Sequence, residues 1–206
     1  SLPVFDKLRE DGQTVLTLDR AHSQDIRELH IGLLNLMPDA ALRVTEEQFI
    51  RLVGSCNQIA QLFVHPFSVG GLQRSTDTQN YIDKFYLDFE EIKQFGLDAL
   101  IITGANVATP ILVDQDFWSP LQEVFAWALD NVTSTLCSCL ATHALLKMLY
   151  DIDRRELDQK CWGVFHHVLK QPNHPILKDI NTRFDVPHSR NNGVDGTDLK
   201  SAGLSI

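Results

Sequence analysis

A thiol nucleophile must be exposed, held still and set beside hydrogen-bond donors, and one cysteine of this chain has surroundings that promise all three. Cys139 lies within Thr133–Leu146, Thr-Ser-Thr-Leu-Cys-Ser-Cys-Leu-Ala-Thr-His-Ala-Leu-Leu. Thr133 to Cys137 mixes β-branched and small apolar residues, which suits a short buried strand. Ala141, Ala144, Leu145, Met148 and Leu149 recur at helical spacing up to Tyr150. Between strand and helix only a tight turn fits, and Cys139 sits on it. The unpaired N–H groups that open the helix, with its dipole, lower a thiol's pKa and hold an oxyanion beside it. This is the thiol counterpart of a nucleophile elbow, without the usual flanking glycines. The competing reading is a packing cysteine, since free cysteines are among the most buried residues.

Other residues add to or compete with this centre. Gly104-Ala105-Asn106 has a single glycine and no Gly-x-Gly-x-x-Gly, which excludes a dinucleotide fingerprint. A backbone N–H of this loop could bind an oxyanion opposite the helix after Cys139; the plain alternative is a strand-exit turn. His166, His167, His174 and His188 cluster late, but no helical i, i+4 pair and no Cys-x-x-Cys accompanies them, so a metal site is disfavoured. His143 lies one helical turn after Cys139 and is more often a packed histidine than a base. His188-Ser189-Arg190 brings a hydroxyl and a fixed cation to a loop, suited to a carboxylate or phosphate or to an exposed ion pair. Lys160 by itself reads as an ordinary surface lysine.

The elements that must position these groups follow in order. Ser1 to Ile26 lacks a clear period and reads as an N-terminal arm, with Gln13–Leu18 as a possible strand. His30–Leu36 is a short apolar run, read as a buried strand that Met37-Pro38-Asp39 ends. Thr45 with Gln48 forms a capping-box pattern ahead of the stripe Phe49, Leu52, Val53. Gln58–Val64 reads as the second strand, Asp88–Ile92 as helical, and Asp98–Thr103 as the clearest buried strand. Phe117–Asp130 places Trp118, Leu121, Val124, Phe125 and Ala128 on one helical face. Trp162–Leu169 and Thr182–Val186 read as further strands. Alternating strands and helices define an α/β fold with a mainly parallel sheet and helices on both faces. Ligands bind such sheets at the carboxyl ends of the strands, which here deliver Asn35, Gly104 to Ala108, and Cys139.

The 206 residues, 44% hydrophobic and 22% charged, are enough for a sizeable core. A formal net charge of -9 argues against nucleic acid or an anionic membrane surface as the main partner. No apolar run approaches the ~20 residues of a membrane span, and the first residues show no signal-peptide segment. Cys56, Cys137, Cys139 and Cys161 show no disulfide-framework spacing, which fits reduced thiols in a cytoplasmic protein.

Asn35-Leu36-Met37-Pro38, Asp88-Phe89-Glu90, Thr103-Gly104-Ala105, Trp118, Val132-Thr133-Ser134-Thr135-Leu136, Cys139, Gly163-Val164 and Pro187-His188-Ser189-Arg190 occur in that order. This ordered set resembles the homoserine O-acyltransferase family of methionine biosynthesis, of the homoserine O-succinyltransferase type, from about residue 15 onward. The resemblance implies a class I glutamine-amidotransferase-like, flavodoxin-like fold and ping-pong transfer of an acyl group from acyl-CoA, through a cysteine, to the hydroxyl of L-homoserine. It implies Cys139 as nucleophile, Lys160 and Ser189 as substrate contacts, and Ala108 as the position that sorts acyl donors. The oxyanion would rest on the backbone N–H groups of Leu140 and Ala105. It further implies a homodimer with acyl-CoA as substrate, no other cofactor and no metal, while the charge and cysteine arguments above give a cytoplasmic protein with no nucleic-acid or membrane partner.

Three departures stand out. The family triad is completed by a downstream His-Pro-Glu segment, beyond Ile206, so residues 27–206 are read as an acyltransferase domain without its C-terminal part. Many relatives carry lysines directly after the Pro38 position, where this chain has Asp39-Ala40-Ala41-Leu42-Arg43 and is two residues longer. Ala108 stands where relatives commonly have glycine, which goes with succinyl transfer, or glutamate, which goes with acetyl transfer. Alanine carries no charge to repel a succinyl carboxylate, so succinyl-CoA is the expected donor. Acetyl transfer, a binding or regulatory domain of the same fold, and a cysteine hydrolase or amidotransferase are the alternatives.

Overall fold

The computed structural model describes residues 3–13, 15, 28–57, 60–107, 109 and 111–205. It divides into two compact units, Ser1–Asn106 with Leu112–Leu145, and Val107–Ile111 with Leu146–Ile206. The first holds a four-stranded parallel sheet of β1 (Glu28–Leu34), β2 (Gln61–Phe67), β3 (Leu97–Ile102) and β4 (Val132–Cys137). Their spatial order is β2-β1-β3-β4. That order is the one found in flavodoxin-like sheets, whose ligands bind where the winding reverses, between β1 and β3. The α/β, mainly parallel expectation is therefore met.

Register explains which residues are buried. Ile31, Leu33, Val64 and Ile101 share one face, because paired residues of parallel strands point the same way. Val4 and Leu8 of α1 (Pro3–Glu10), and Ile50 and Val53 of α2 (Asp39–Cys56), cover that face. Leu34, His65, Phe67, Leu100 and Ile102 lie on the other. There α4 (Phe89–Phe95) stacks Phe89 on Phe67 and Phe95 on His65. Phe89 in turn meets Trp127 of α5 (Trp118–Asn131) edge-on. Gly32 is needed for space, since a methyl group there would stand 2.5 Å from Leu97 Cδ1.

Several local readings change. The second strand runs over Gln61–Phe67, and residues 58 and 59 lie outside the described residues. The first helix signal is misplaced: α2 begins at Asp39, capped by Pro38 with no side-chain bond. Proline's fixed φ and the helix formers Ala40, Ala41 and Leu42 start it six residues before Thr45, which sits inside the helix. Leu52 is exposed whereas Val53 is buried. The capping box instead lies at Asp88, whose carboxylate accepts the Glu91 N–H while Glu91 accepts that of Asp88. A helix that the sequence reading omits, α3 (Thr76–Phe85), is capped by Ser75. α1 supplies a helix where only an arm is expected, and the possible strand Gln13–Leu18 falls mainly outside the described residues. β4 forms as expected but is exposed rather than buried, with Leu136 57% accessible at the edge of the sheet.

After α6 (Leu140–Tyr150), the second unit carries β5 (Arg155–Val168) and β6 (Arg183–Gly193), paired antiparallel. These two strands do not join the parallel sheet. A register shift between Glu156 and Cys161 bends β5. Arg155 pairs with Asp195 and Asp198, which ties the hairpin to α7 (Gly196–Ser201). Arg154 donates to the carbonyls of Val107 and Thr109, holding the backbone on both sides of Ala108. Ala108 itself lies outside the described residues. No helix among the described residues is long and apolar enough to cross a membrane.

Candidate active site

The register brings Leu34, Ile102 and Cys137 side by side, so three strands end level with one another. The ladder continues past those ends. The Thr103 N–H donates to the Leu34 carbonyl at 3.0 Å, and the Ser138 N–H donates to that of Ile102 at 2.9 Å. The next residue is Cys139, with φ 55°, a left-handed conformation uncommon for a side-chain-bearing residue. Such strain persists only where the surroundings hold it, and it clusters at functional turns. Here the turn is held by the Ala141 N–H to the Ser138 carbonyl, the Thr142 N–H to the Cys139 carbonyl, and the Thr142 hydroxyl to the Cys137 carbonyl. α6 begins at once, at Leu140.

This is the strand-turn-helix elbow the sequence predicts, and it leaves Cys139 exposed. The missing glycine is found in space rather than in sequence. A methyl group on Gly104 would stand 2.9 Å from Cys139 Cβ, 3.3 Å from its Sγ and 3.7 Å from the Leu140 nitrogen. The loop after β3 thus closes directly on the thiol, and only a residue without Cβ permits that approach. Cys139, Leu140 and the Gly104-Ala105 loop are therefore brought together. The Leu140 N–H, at the first turn of α6, has no acceptor within its own helix.

Cys137 provides the internal control. It points into the sheet face of Ile102, and burial pushes its thiol up to about 11. A thiol of that kind is almost wholly protonated at neutral pH and a poor nucleophile.

Asn35 does not open into a crevice. It is fully buried: its amide donates to the Leu42 carbonyl at 2.9 Å and to the Tyr86 hydroxyl at 3.0 Å, and its carbonyl accepts the Met37 N–H. Beyond it, Asp39 accepts the Ser75 N–H and meets Arg74, and mainly these Ser75 bonds hold its carboxyl down at about 2. The departure from the lysine-bearing pattern thus sits in a loop-tethering ion pair. A cavity of about 540 Å³, lined by Gly70, Arg74, Asp83, Tyr86 and Glu91 among others, lies after β2 and includes neither Cys139 nor Gly104.

In the second unit, Trp162 pairs with Ser189 and Cys161 with Arg190 across the hairpin, which sets Lys160 and Ser189 on adjacent strands. Both are exposed, and the Lys160 ammonium lies over the Trp162 ring, 4.8 Å from its centroid. Two of the late histidines meet each other. His167 and His188 approach within 2.9 Å through their Nε2 atoms, and His166 bonds Asp185. Burial, then the charges of Arg190 and His167, lower the His188 pKa.

A parallel sheet in flavodoxin-like order, with a strained and exposed cysteine at its carboxyl edge, places the chain among flavodoxin-like α/β proteins. Within that class the chain belongs to the homoserine O-succinyltransferase family, whose model matches residues 1–206. Similar proteins named homoserine O-succinyltransferase occur in Methylobacter tundripaludum, 60% identical over 205 residues, and in Thiothrix nivea, 56% identical over 205. One from Nitrosococcus oceani is 55% identical over 205 residues. Each match covers 100% of this chain but 57–58% of the relative, so the chain spans little more than half their length.

Proposed function

We propose that the protein of which this chain forms the matching part transfers a succinyl group from succinyl-CoA to the hydroxyl of L-homoserine, through a thioester on Cys139. The carrying observation is the exposed Cys139 on a strained elbow, with Gly104 closed against its sulfur and the start of α6 behind it. The Cys139 thiolate adds to the thioester carbonyl, and the C=O electron pair moves to oxygen, held by the Leu140 and Ala105 N–H groups. Collapse restores the carbonyl and expels CoA as its thiolate. The homoserine hydroxyl then attacks the acyl-cysteine, and the Cys139 thiolate leaves. The proton of the homoserine hydroxyl goes to the histidine of the family's His-Pro-Glu segment.

Lys160 and Ser189 are assigned to substrate contact, and Ala108 to the acyl group, where its lack of charge admits a succinyl carboxylate. No cofactor other than the acyl-CoA substrate and no metal is assigned, and the working form is a cytoplasmic homodimer. The names of the relatives favour succinyl over acetyl as the donor. Intact-mass measurement of the full-length protein with succinyl-CoA alone tests this reading. One succinyl adduct is expected on Cys139, and Cys139→Ser should show no thioester. An adduct retained on Cys137, Cys56 or Cys161, or none in the parent, overturns it.

A further inference from the structure

Thr103 stands between the buried polar interior and the loop that meets Cys139, and the reaction so far gives it no part. It is 1% exposed. Its hydroxyl accepts the Leu36 N–H at 2.8 Å, lies 3.5 Å from the Asn35 side-chain oxygen, and donates to the Gly104 carbonyl at 3.2 Å. The hydroxyl has one hydrogen, and the Gly104 carbonyl is the nearer of its two acceptors. Asn35 cannot drift, because Tyr86, Leu42 and Met37 take up its polar atoms on three sides.

The consequence follows from peptide geometry. A trans peptide is planar, and its N–H points opposite to its C=O. Fixing the Gly104 carbonyl on the buried Thr103 hydroxyl therefore turns the Ala105 N–H the other way, out of the interior. Gly104 is the residue packed against Cys139 Sγ. We infer that Thr103 is a positioning residue for acyl transfer: its hydroxyl, held by the Leu36 N–H, locks the Gly104-Ala105 peptide so that the Ala105 N–H is preorganised for the oxyanion formed at Cys139. Without that bond the peptide can rotate, and the donor is lost when negative charge develops. This inference rests on the Cys139 reading and adds a residue to it.

The test uses the full-length protein and two reactions of the same thiol. Acylation by succinyl-CoA passes through an oxyanion, whereas alkylation by iodoacetamide is a displacement at carbon and forms none. Thr103→Val removes the hydroxyl and keeps the shape. Losing an oxyanion donor outright costs about 10²–10³-fold, so a misaligned one should slow single-turnover acylation of Cys139 about 10- to 100-fold. The alkylation rate should stay within about twofold. Thr103→Ser, which retains the hydroxyl, should acylate within a few-fold of the parent. Equal acylation by parent and Thr103→Val overturns the inference and leaves the Cys139 reading intact. So does a parallel fall in alkylation, which marks a general disturbance, or a Thr103→Ser loss as large as that of Thr103→Val. A parent that alkylates at Cys139 but never acylates overturns the Cys139 reading itself.

Discussion

The carboxyl end of the parallel sheet and the β5–β6 hairpin use the same kinds of residue to opposite effect. At the sheet end, Asn35 and Thr103 are buried and bond to backbone, Asn35 also to the Tyr86 hydroxyl. In the hairpin, Trp162 is 72% and Val164 68% exposed, and Lys160 and Ser189 face solvent. Burial makes an unpaired polar atom costly, so the first region holds a single geometry. Two strands alone bury little apolar surface and impose far less. The proposed reaction, in which the Cys139 thiol meets its oxyanion donors within a fraction of an ångström, calls for the first. Side chains that make room for a substrate are compatible with the second.

Truncating one apolar residue in each region sharpens that contrast most. Leu100 is fully buried on β3, and Leu100→Ala should cost about 2–5 kcal/mol by urea unfolding. Val164→Ala on β5 should stay within about 0.5 kcal/mol in the same measurement. Equal costs would break the comparison.

A smaller effect comes from β2, the edge strand farthest from β4. His65 is 2% exposed, stacked between His30 and Phe95, with its Nε2 2.8 Å from His30 Nδ1. Burial first, then the neighbouring His30, hold its pKa at about 4 against an ordinary 6.5. Glu28 lies 3.9 Å from His30, and Asp98 accepts the His30 N–H. Between pH 6.5 and 4 the unfolded chain binds a proton that the folded chain refuses. The stabilisation is therefore complete above the unfolded value and is lost as pH falls toward 4. At about 1.36 kcal/mol per pKa unit the loss is at most ~3.4 kcal/mol. Unfolding free energy against pH should slope less steeply in His65→Gln over that window, and an unchanged slope would refute the assignment.

The smallest effect has the reverse sign. Glu46 is buried on α2, where its Oε1 accepts the Tyr81 hydroxyl at 2.9 Å. Burial raises its carboxyl pKa, and bonds from Tyr86 and Tyr81 offset that only in part. Its contribution is thus present below the ordinary carboxylate value and lost as pH rises through the folded one. Glu46→Gln keeps an acceptor for Tyr81 and cannot ionise. It should change stability at pH 4 by no more than about 1 kcal/mol and should remove the decline toward pH 8. A steeper decline in the variant would show the carboxylate to be the form the fold favours.

Residue order by itself determined the parallel α/β fold, the buried β1 and β3, the five-residue apolar face of α5, and the elbow at Cys139. Those features are local: period, burial and a turn too short for anything else write them into consecutive residues. Position along the chain did not determine where burial falls. β4 has the composition of a buried strand yet lies at the sheet's edge, and Trp162–Leu169 reads as a sheet strand yet folds into a hairpin. The start of α2 is not legible in the sequence because proline, not a side-chain cap, begins it. Only the tertiary structure showed that the elbow's glycine is Gly104, 35 positions before Cys139 in the numbering, and that the buried Thr103 hydroxyl bonds its carbonyl. No spacing rule carries that information, because parallel pairing of β1, β3 and β4 sets those residues side by side across long intervening segments.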